Sequence, residues 1–136
     1  MARLDPHSYA DDLQAQTGRL DWDARIDFAA HRIEARAVLH LKGPLAGPFD
    51  LDTRGLEIVT VADGRGEPLP FELGSEDPIL GSRLRVQLRG DTRAVAVEYR
   101  TSPGASALQW LEPAQTLGTK HPYLFTQCQA VHARSV

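Results

Sequence analysis

Five histidines and one cysteine are the residues of this 136-residue chain that most invite chemistry, and metal binding is the first chemistry to consider. No HExxH pair is present, and His7, His31, His40, His121 and His132 are scattered along the sequence. Cys128 and His132 stand four apart, a spacing that on a helix puts thiol and imidazole on one face. Tetrahedral sites need three or four ligands, so no metal bound by this chain alone is expected. His132 is also the candidate base for a Cys128 nucleophile, yet a lone cysteine is most often a small buried hydrophobe. No GxSxG, P-loop or GxGxxG occurs, and Asp63-Gly64-Arg65-Gly66 lies between strands and opens no helix. Carboxylates are plentiful, but no spacing ties two of them into an acid–base pair. No catalytic residue is assigned.

The remaining polar cluster is Gln127-Cys128-Gln129, set among large apolar residues and amides from Ala107 to His132. A buried amide offers one carbonyl acceptor and two N–H donors, which suits an ammonium ligand. Taken from the residues alone, both glutamines equally satisfy backbone groups at a strand end, the commoner fate of buried amides. Trp110 with Leu108 and Leu111 reads as an aromatic platform or as an anchor of the core or of a domain contact, the latter being the usual role of tryptophan.

These side chains need a frame, and its period is two. Trp22, Ala24, Ile26 and Phe28 alternate with Asp21, Asp23, Arg25 and Asp27, the pattern of a strand with one wet face. From Ile33 the apolar set moves to odd positions: Ile33, Ala35, Ala37, Leu39 and Leu41. A one-residue slip sends every side chain to the other face, so 29–32 is expected as a hairpin turn, although it lacks the usual Gly or Asn. Gly43-Pro44 and Gly47-Pro48 end the second strand. Leu56–Val61 reads as a third, and Leu69, Phe71 and Leu73 resume the alternation. Leu84, Val86 and Leu88 form a strand whose expected partner, across a tight turn at Gly90-Asp91, is Val95, Val97 and Tyr99. Arg83, Arg85 and Arg89 are read as the wet face of that strand rather than an anion site. About six strands with turn residues between them predict an antiparallel all-β layer with one buried face. After Thr101 the alternation fades into a long irregular segment, with a short helix expected over 127–134.

Composition bounds the rest. Hydrophobic residues at 42% and charged residues at 24% place the chain among ordinary globular domains and exclude wholesale disorder. No run approaches the ~18 apolar residues of a membrane span, and the opening residues hold no secretory signal. The net charge of −3, without a basic tract, argues against nucleic acid as a partner. A single cysteine excludes an intramolecular disulfide and fits a reducing, cytoplasmic setting.

Three stretches carry a resemblance: Asp5-Pro6-His7-Ser8-Tyr9-Ala10, Leu51-Asp52-Thr53-Arg54-Gly55-Leu56 with Asp27-Phe28, and above all the run from Ala107-Leu108-Gln109-Trp110-Leu111 through Pro122-Tyr123-Leu124-Phe125-Thr126-Gln127-Cys128-Gln129-Ala130-Val131-His132 to Ser135. In these residues the chain resembles the amino-terminal domain of zinc aminopeptidases of the aminopeptidase N type, in the branch of aminopeptidase B and leukotriene A4 hydrolase. The resemblance implies a saddle-like, mainly antiparallel β domain over 1–136, incomplete at its carboxyl-terminal end. It packs on a catalytic domain whose GxMEN loop and HExxH motif lie beyond Val136. Zinc is then a cofactor of the parent enzyme, with no ligand in this chain, and the substrate is a peptide. By the same resemblance Gln129 helps hold the peptide's free α-amino group, where most other branches carry a Glu, and Gln127 and Cys128 line that pocket. A chain that lacks its partner domain is expected to self-associate through an apolar patch around Trp110, Leu111 and Phe125. The alternative is a stand-alone β module that binds a protein partner through the face formed by 101–136.

Overall fold

Alternating sequence becomes strand wherever one face finds cover, and the computed structural model, which describes residues 5–128, is built almost wholly in this way. Its strands are β1 (Thr17–Asp27), β2 (Arg32–Leu41), β3 (Gly47–Thr53), β4 (Leu56–Asp63), β5 (Phe71–Leu73), β6 (Ser82–Leu88), β7 (Ala94–Thr101), β8 (Leu108–Leu111) and β9 (Tyr123–Thr126), with a short 3-10 helix at Pro113–Gln115. They form a four-stranded sheet in the order β1-β2-β7-β4, a three-stranded sheet in the order β3-β6-β5 and the pair β8-β9, with antiparallel neighbours throughout. The fold is all-β, as the alternation predicts.

The odd positions of β2 and β7 meet the even positions of β6 in one apolar cluster. Ile33, Ala35, Ala37 and Leu39, Val95, Val97 and Tyr99, and Leu84, Val86 and Leu88 are all buried in it, with Phe49 of β3 and Val61 of β4. Register puts Trp22 opposite Ala37 and Ile26 opposite Ile33, so the apolar row of β1 lies on the same face. That row is nevertheless half open, with Leu20 55% and Trp22 54% exposed. β1 sits at the sheet edge and pairs with β2 on one side only, its Trp22 Nε1 donating to Tyr99 OH of β7 at 2.8 Å.

The β1–β2 turn falls where the phase change demanded it, and its chemistry explains the missing glycine. The Asp27 carboxylate accepts the backbone N–H groups of Ala29 and Ala30 at 3.0 and 2.9 Å, and His31 takes a left-handed φ of 49°. Asp is a residue whose side chain can close a turn on its own backbone.

Three expectations need correction. β6 and β7 are not partners: β6 pairs with β3 and β5, while β7 lies between β2 and β4. The turn after Leu88 therefore crosses from one sheet to the other. Thr92, 1% exposed, closes it by accepting the Arg89 N–H on its hydroxyl and donating its own N–H to the Arg89 carbonyl, both at 3.0 Å. Alternation shows which face of a strand is apolar but not which sheet that face must cover. Gly47-Pro48, read only as a stop to the second strand, opens strand β3 over 47–53, because proline is tolerated where a strand has a free edge. The segment after Thr101 also holds the β8-β9 pair amid its loops.

Arg85 and Arg89 are each paired with a buried carboxylate. Asp50 of β3, 4% exposed, accepts Arg85 Nε and Nη2 at 2.7 Å each and Gln14 Nε2 at 2.9 Å. Asp63, closing β4, accepts the backbone N–H groups of Arg65 and Glu67 together with the guanidinium groups of Arg65 and Arg89. Burial alone would raise both carboxyls, but these hydrogen bonds and the arginine charges hold them below the usual carboxylate range.

The two family-like stretches before residue 60 turn out to touch. Ser8 donates its hydroxyl to Asp52, the Tyr9 N–H reaches the same carboxylate at 2.7 Å, and Tyr9 OH donates to the Gly81 carbonyl at 3.1 Å. Gly81 has φ +76°, and a Cβ there would lie 2.1 Å from the Thr53 carbonyl oxygen.

Two outcomes follow. Gly81→Ala should lower stability by more than about 1 kcal/mol, whereas Gly90→Ala, where nothing lies within 4 Å, should change it by less than about 0.5 kcal/mol in urea unfolding. Because Asp50 and Asp63 are acidified on folding, their contribution is complete above the carboxylate range of the unfolded chain. It should be lost as pH falls below about 4, where the unfolded state takes up protons first. Urea midpoints measured against pH should show this fall, and Asp50→Asn should flatten it.

Candidate functional site

The residues singled out for substrate binding lie directly after β9. Its partner β8 is held to the body of the domain by one aromatic cluster. The Trp110 ring stacks on the His31 imidazole with centroids 5.2 Å apart and an interplanar angle of 6°, and meets Phe28 edge-on at 5.8 Å. His31 Nε2 lies 3.0 Å from Glu112 Oε1, so the β1–β2 turn grips both ends of this contact. Leu108, Trp110 and Leu124 pack on the main core, as a domain anchor should, while Tyr123 and Phe125 point outward, 57% and 47% exposed. The apolar patch expected around Trp110, Leu111 and Phe125 is thus partly spent inside the domain, and the larger open row belongs to β1.

Between β8 and β9 the chain is shaped by local hydrogen bonds. Gln115 Oε1 accepts the Glu112 N–H at 2.9 Å, and the Thr116 hydroxyl bridges toward the carbonyls of Pro113 and His121 at 2.9 and 2.8 Å. Within the described residues the segment ends with the Gln127 N–H donating to the Ala107 carbonyl at 3.0 Å. It continues the β8-β9 ladder by one step, across Ala107 at φ 71°. The backbone of Gln127 is therefore fixed while its side chain, like that of Cys128, is exposed. Neither turns into the core.

Gln129, His132 and most of the helix expected over 127–134 lie outside the described residues. Among the described residues no three His, Cys, Asp or Glu side chains come together as metal ligands. No helix is long and apolar enough to cross a membrane. Sequence reasoning missed the joint role of His31 and Trp110. The one available signal was the turn at 29–32 that lacked glycine, since some residue there had to accept a left-handed backbone.

No protein-family model matches the chain. Known proteins match it over nearly all its length: leukotriene A-4 hydrolase of Xenopus laevis is 38% identical over 97% of the chain and 23% of the relative. Leucine aminopeptidase 2 of Phaeosphaeria nodorum is 33% identical over 97% of the chain and 22% of the relative, and that of Yarrowia lipolytica is 47% identical over 63% and 14%. Among solved structures, yeast LTA4 hydrolase in complex with bestatin superposes with a TM-score of 0.86 at 29% identity, covering 96% of this chain and 21% of that one. The chain belongs to this aminopeptidase family, as its amino-terminal domain. It spans less than a quarter of the length of these relatives. The match runs over nearly the whole of the chain.

The anchoring role of the cluster has a measurable consequence. Trp110→Ala should remove about 3 kcal/mol of protection from the β8-β9 pair. Amide hydrogen exchange should then accelerate at Trp110 and Leu124 while Val95 and Val97 keep their protection.

Proposed function

We propose that this chain is the non-catalytic amino-terminal β domain, incomplete at its carboxyl-terminal end, of a zinc-dependent metalloaminopeptidase that releases N-terminal residues from peptides. In that enzyme it forms one wall of the substrate-binding cleft through Gln127, Cys128 and Gln129. The supporting observation is the 38% identity to leukotriene A-4 hydrolase over 97% of the chain, with the backbone agreement to the yeast enzyme. The local geometry is compatible: a ladder hydrogen bond from Gln127 holds the strand end in place, and the side chains of Gln127 and Cys128 are exposed.

The chemistry of the wall is hydrogen bonding. An amide at Gln129 accepts from a peptide's α-ammonium through its carbonyl, and its two N–H donors fix the carbonyl's direction by bonding neighbouring acceptors. A neutral amide there, in place of a carboxylate, anchors the ammonium with less charge and changes the range of substrates accepted. In this reading the zinc ligands, the general base and the catalytic domain are supplied by other parts of a longer protein. The peptide and that catalytic domain are the expected partners, in a cytoplasmic enzyme. The chain by itself is expected to self-associate through its open apolar rows.

Two measurements test the proposal. The purified chain with added zinc should show no chelator-sensitive hydrolysis of aminoacyl amides. In the longer protein, Gln129→Ala should raise KM for an aminoacyl amide by about tenfold or more. Turnover by the chain alone, or an unchanged KM, would overturn it. Reading the nucleotides past codon 136 separates the rival: continuation into HExxH supports the enzyme, and a stop codon favours a stand-alone binding module.

A further inference from the structure

The two larger sheets have four edges, and three of them are blunted. β4 carries a register shift between Ile58 and Thr60, β3 carries Pro48, which offers no N–H, and β5 is three residues long. Bulges, prolines and short strands are the ordinary protections of a sheet edge. β1 has none of them along most of its length. Its register is regular from Arg19 to Asp27, with β2 as its one hydrogen-bonded neighbour. Among the described residues no backbone hydrogen bond from a loop reaches this stretch on its other side. The apolar row is half open at the same place, with Ile26 44% exposed beside Leu20 and Trp22.

Charge is the remaining protection, and on β1 its order decides what the edge can accept. Arg19, Asp21, Asp23, Arg25 and Asp27 share the wet face, while Leu20, Trp22, Ala24 and Ile26 share the apolar one. A second β1, laid antiparallel and centred on Asp23, sets Arg19 against Asp27 and Asp21 against Arg25 on both sides of the centre. On the other face Leu20 meets Ile26 and Trp22 meets Ala24, a large residue against a small one. Opposite charges at such cross-strand positions stabilise a pair and like charges oppose it. Moving the centre to Trp22 puts Arg19 on Arg25 and Asp21 on Asp23, and moving it to Ala24 puts Asp21 on Asp27. The Asp23 register leaves one like pair, Asp23 with itself on the axis, and Arg36 stands opposite each copy of it across β2. Within one copy Asp21 accepts Arg19 Nη2 at 2.6 Å, so the four charges at each end of the pairing alternate in sign.

We propose that β1 is a self-recognition edge, through which two copies of this chain pair about a two-fold axis at Asp23 and join their four-stranded sheets into one. The new ladder satisfies the backbone groups open along each edge, and it brings the two Trp22 rings to diagonal positions within reach of each other. The dimer gives the self-association expected of the open rows a strand, a symmetry and a register, and it does not rest on the aminopeptidase reading.

Sedimentation and tryptophan fluorescence of the full chain test it. The chain should form a reversible dimer, and its emission should move to shorter wavelength as the dimer forms. Arg25→Glu, which sets a carboxylate against Asp21, and Asp21→Lys, which sets an ammonium against Arg25, should each weaken dimerisation about tenfold or more. An equimolar mixture of the two variants should recover the affinity of the unaltered chain, because the mixed pair opposes unlike charges at both positions. A chain that stays monomeric at millimolar concentration overturns the proposal together with the wider expectation of self-association. A dimer that neither variant weakens overturns the β1 pairing alone and puts the contact on another face. Failure of the mixture to recover affinity overturns the register. Should Asp21→Lys not fold, Asp23→Cys in a Cys128→Ala chain decides. Under a mild oxidant this axial position should give a disulfide-linked dimer faster than Arg25→Cys does, and an equal or slower rate overturns the proposal.

Discussion

Val95 and Val97 of β7 and Leu84 and Val86 of β6 have no exposed surface, and the rest of the domain takes its place from that seam. Burying each such side chain contributes about 2 kcal/mol, and only when the two strands face one another from different sheets. If β6 and β7 paired edge to edge as a hairpin, their apolar sides would lie next to each other and remain half wet. Their separation forces the chain after Leu88 to cross the core, puts β2 and β4 beside β7, and leaves β3 and β5 to flank β6. The Asp63 carboxylate joins the two sheets at that crossing by holding Arg89 next to the β4 end. Asp50 instead ties β3 to β6 within the second sheet, bonding its cross-strand neighbour Arg85.

Much of this could be read from residue order. Alternation located β1, β2, β5, β6 and β7, and a short β-branched run located β4; in β2 and β6 the apolar face is the buried one, since Ile33 through Leu39 and Leu84 through Leu88 are buried at every second position. What alternation lacks is any record of partnership, which is why the β6–β7 pairing came out differently. Pro48 concealed β3 because proline counts against an interior strand, and this strand is an edge. Past Thr101 the pattern failed for another reason. The β8-β9 pair covers only one corner of the core, so four-residue strands with Trp110 and Leu124 inward leave too short a repeat to recognise.

The candidate site was legible to a different degree. Nothing about the spacing of Gln127 and Gln129 marks a ligand site, because an amide that binds a peptide and one that caps a strand look the same in sequence. Only the family-like run from Ala107 onward pointed to them, and the structure adds the exposed position of Gln127 and the Ala107 bond that steadies it.

The His31 position joins two demands that are ordinarily met by separate residues. Its backbone must sit in a region most side chains avoid, and its ring must lie flat on the indole of Trp110. Glycine would relax the first and forfeit the second, while phenylalanine or tyrosine would keep the ring at the expense of the backbone. Few amino acids meet both conditions, so the corner that fastens β8 to the hairpin has little freedom to drift.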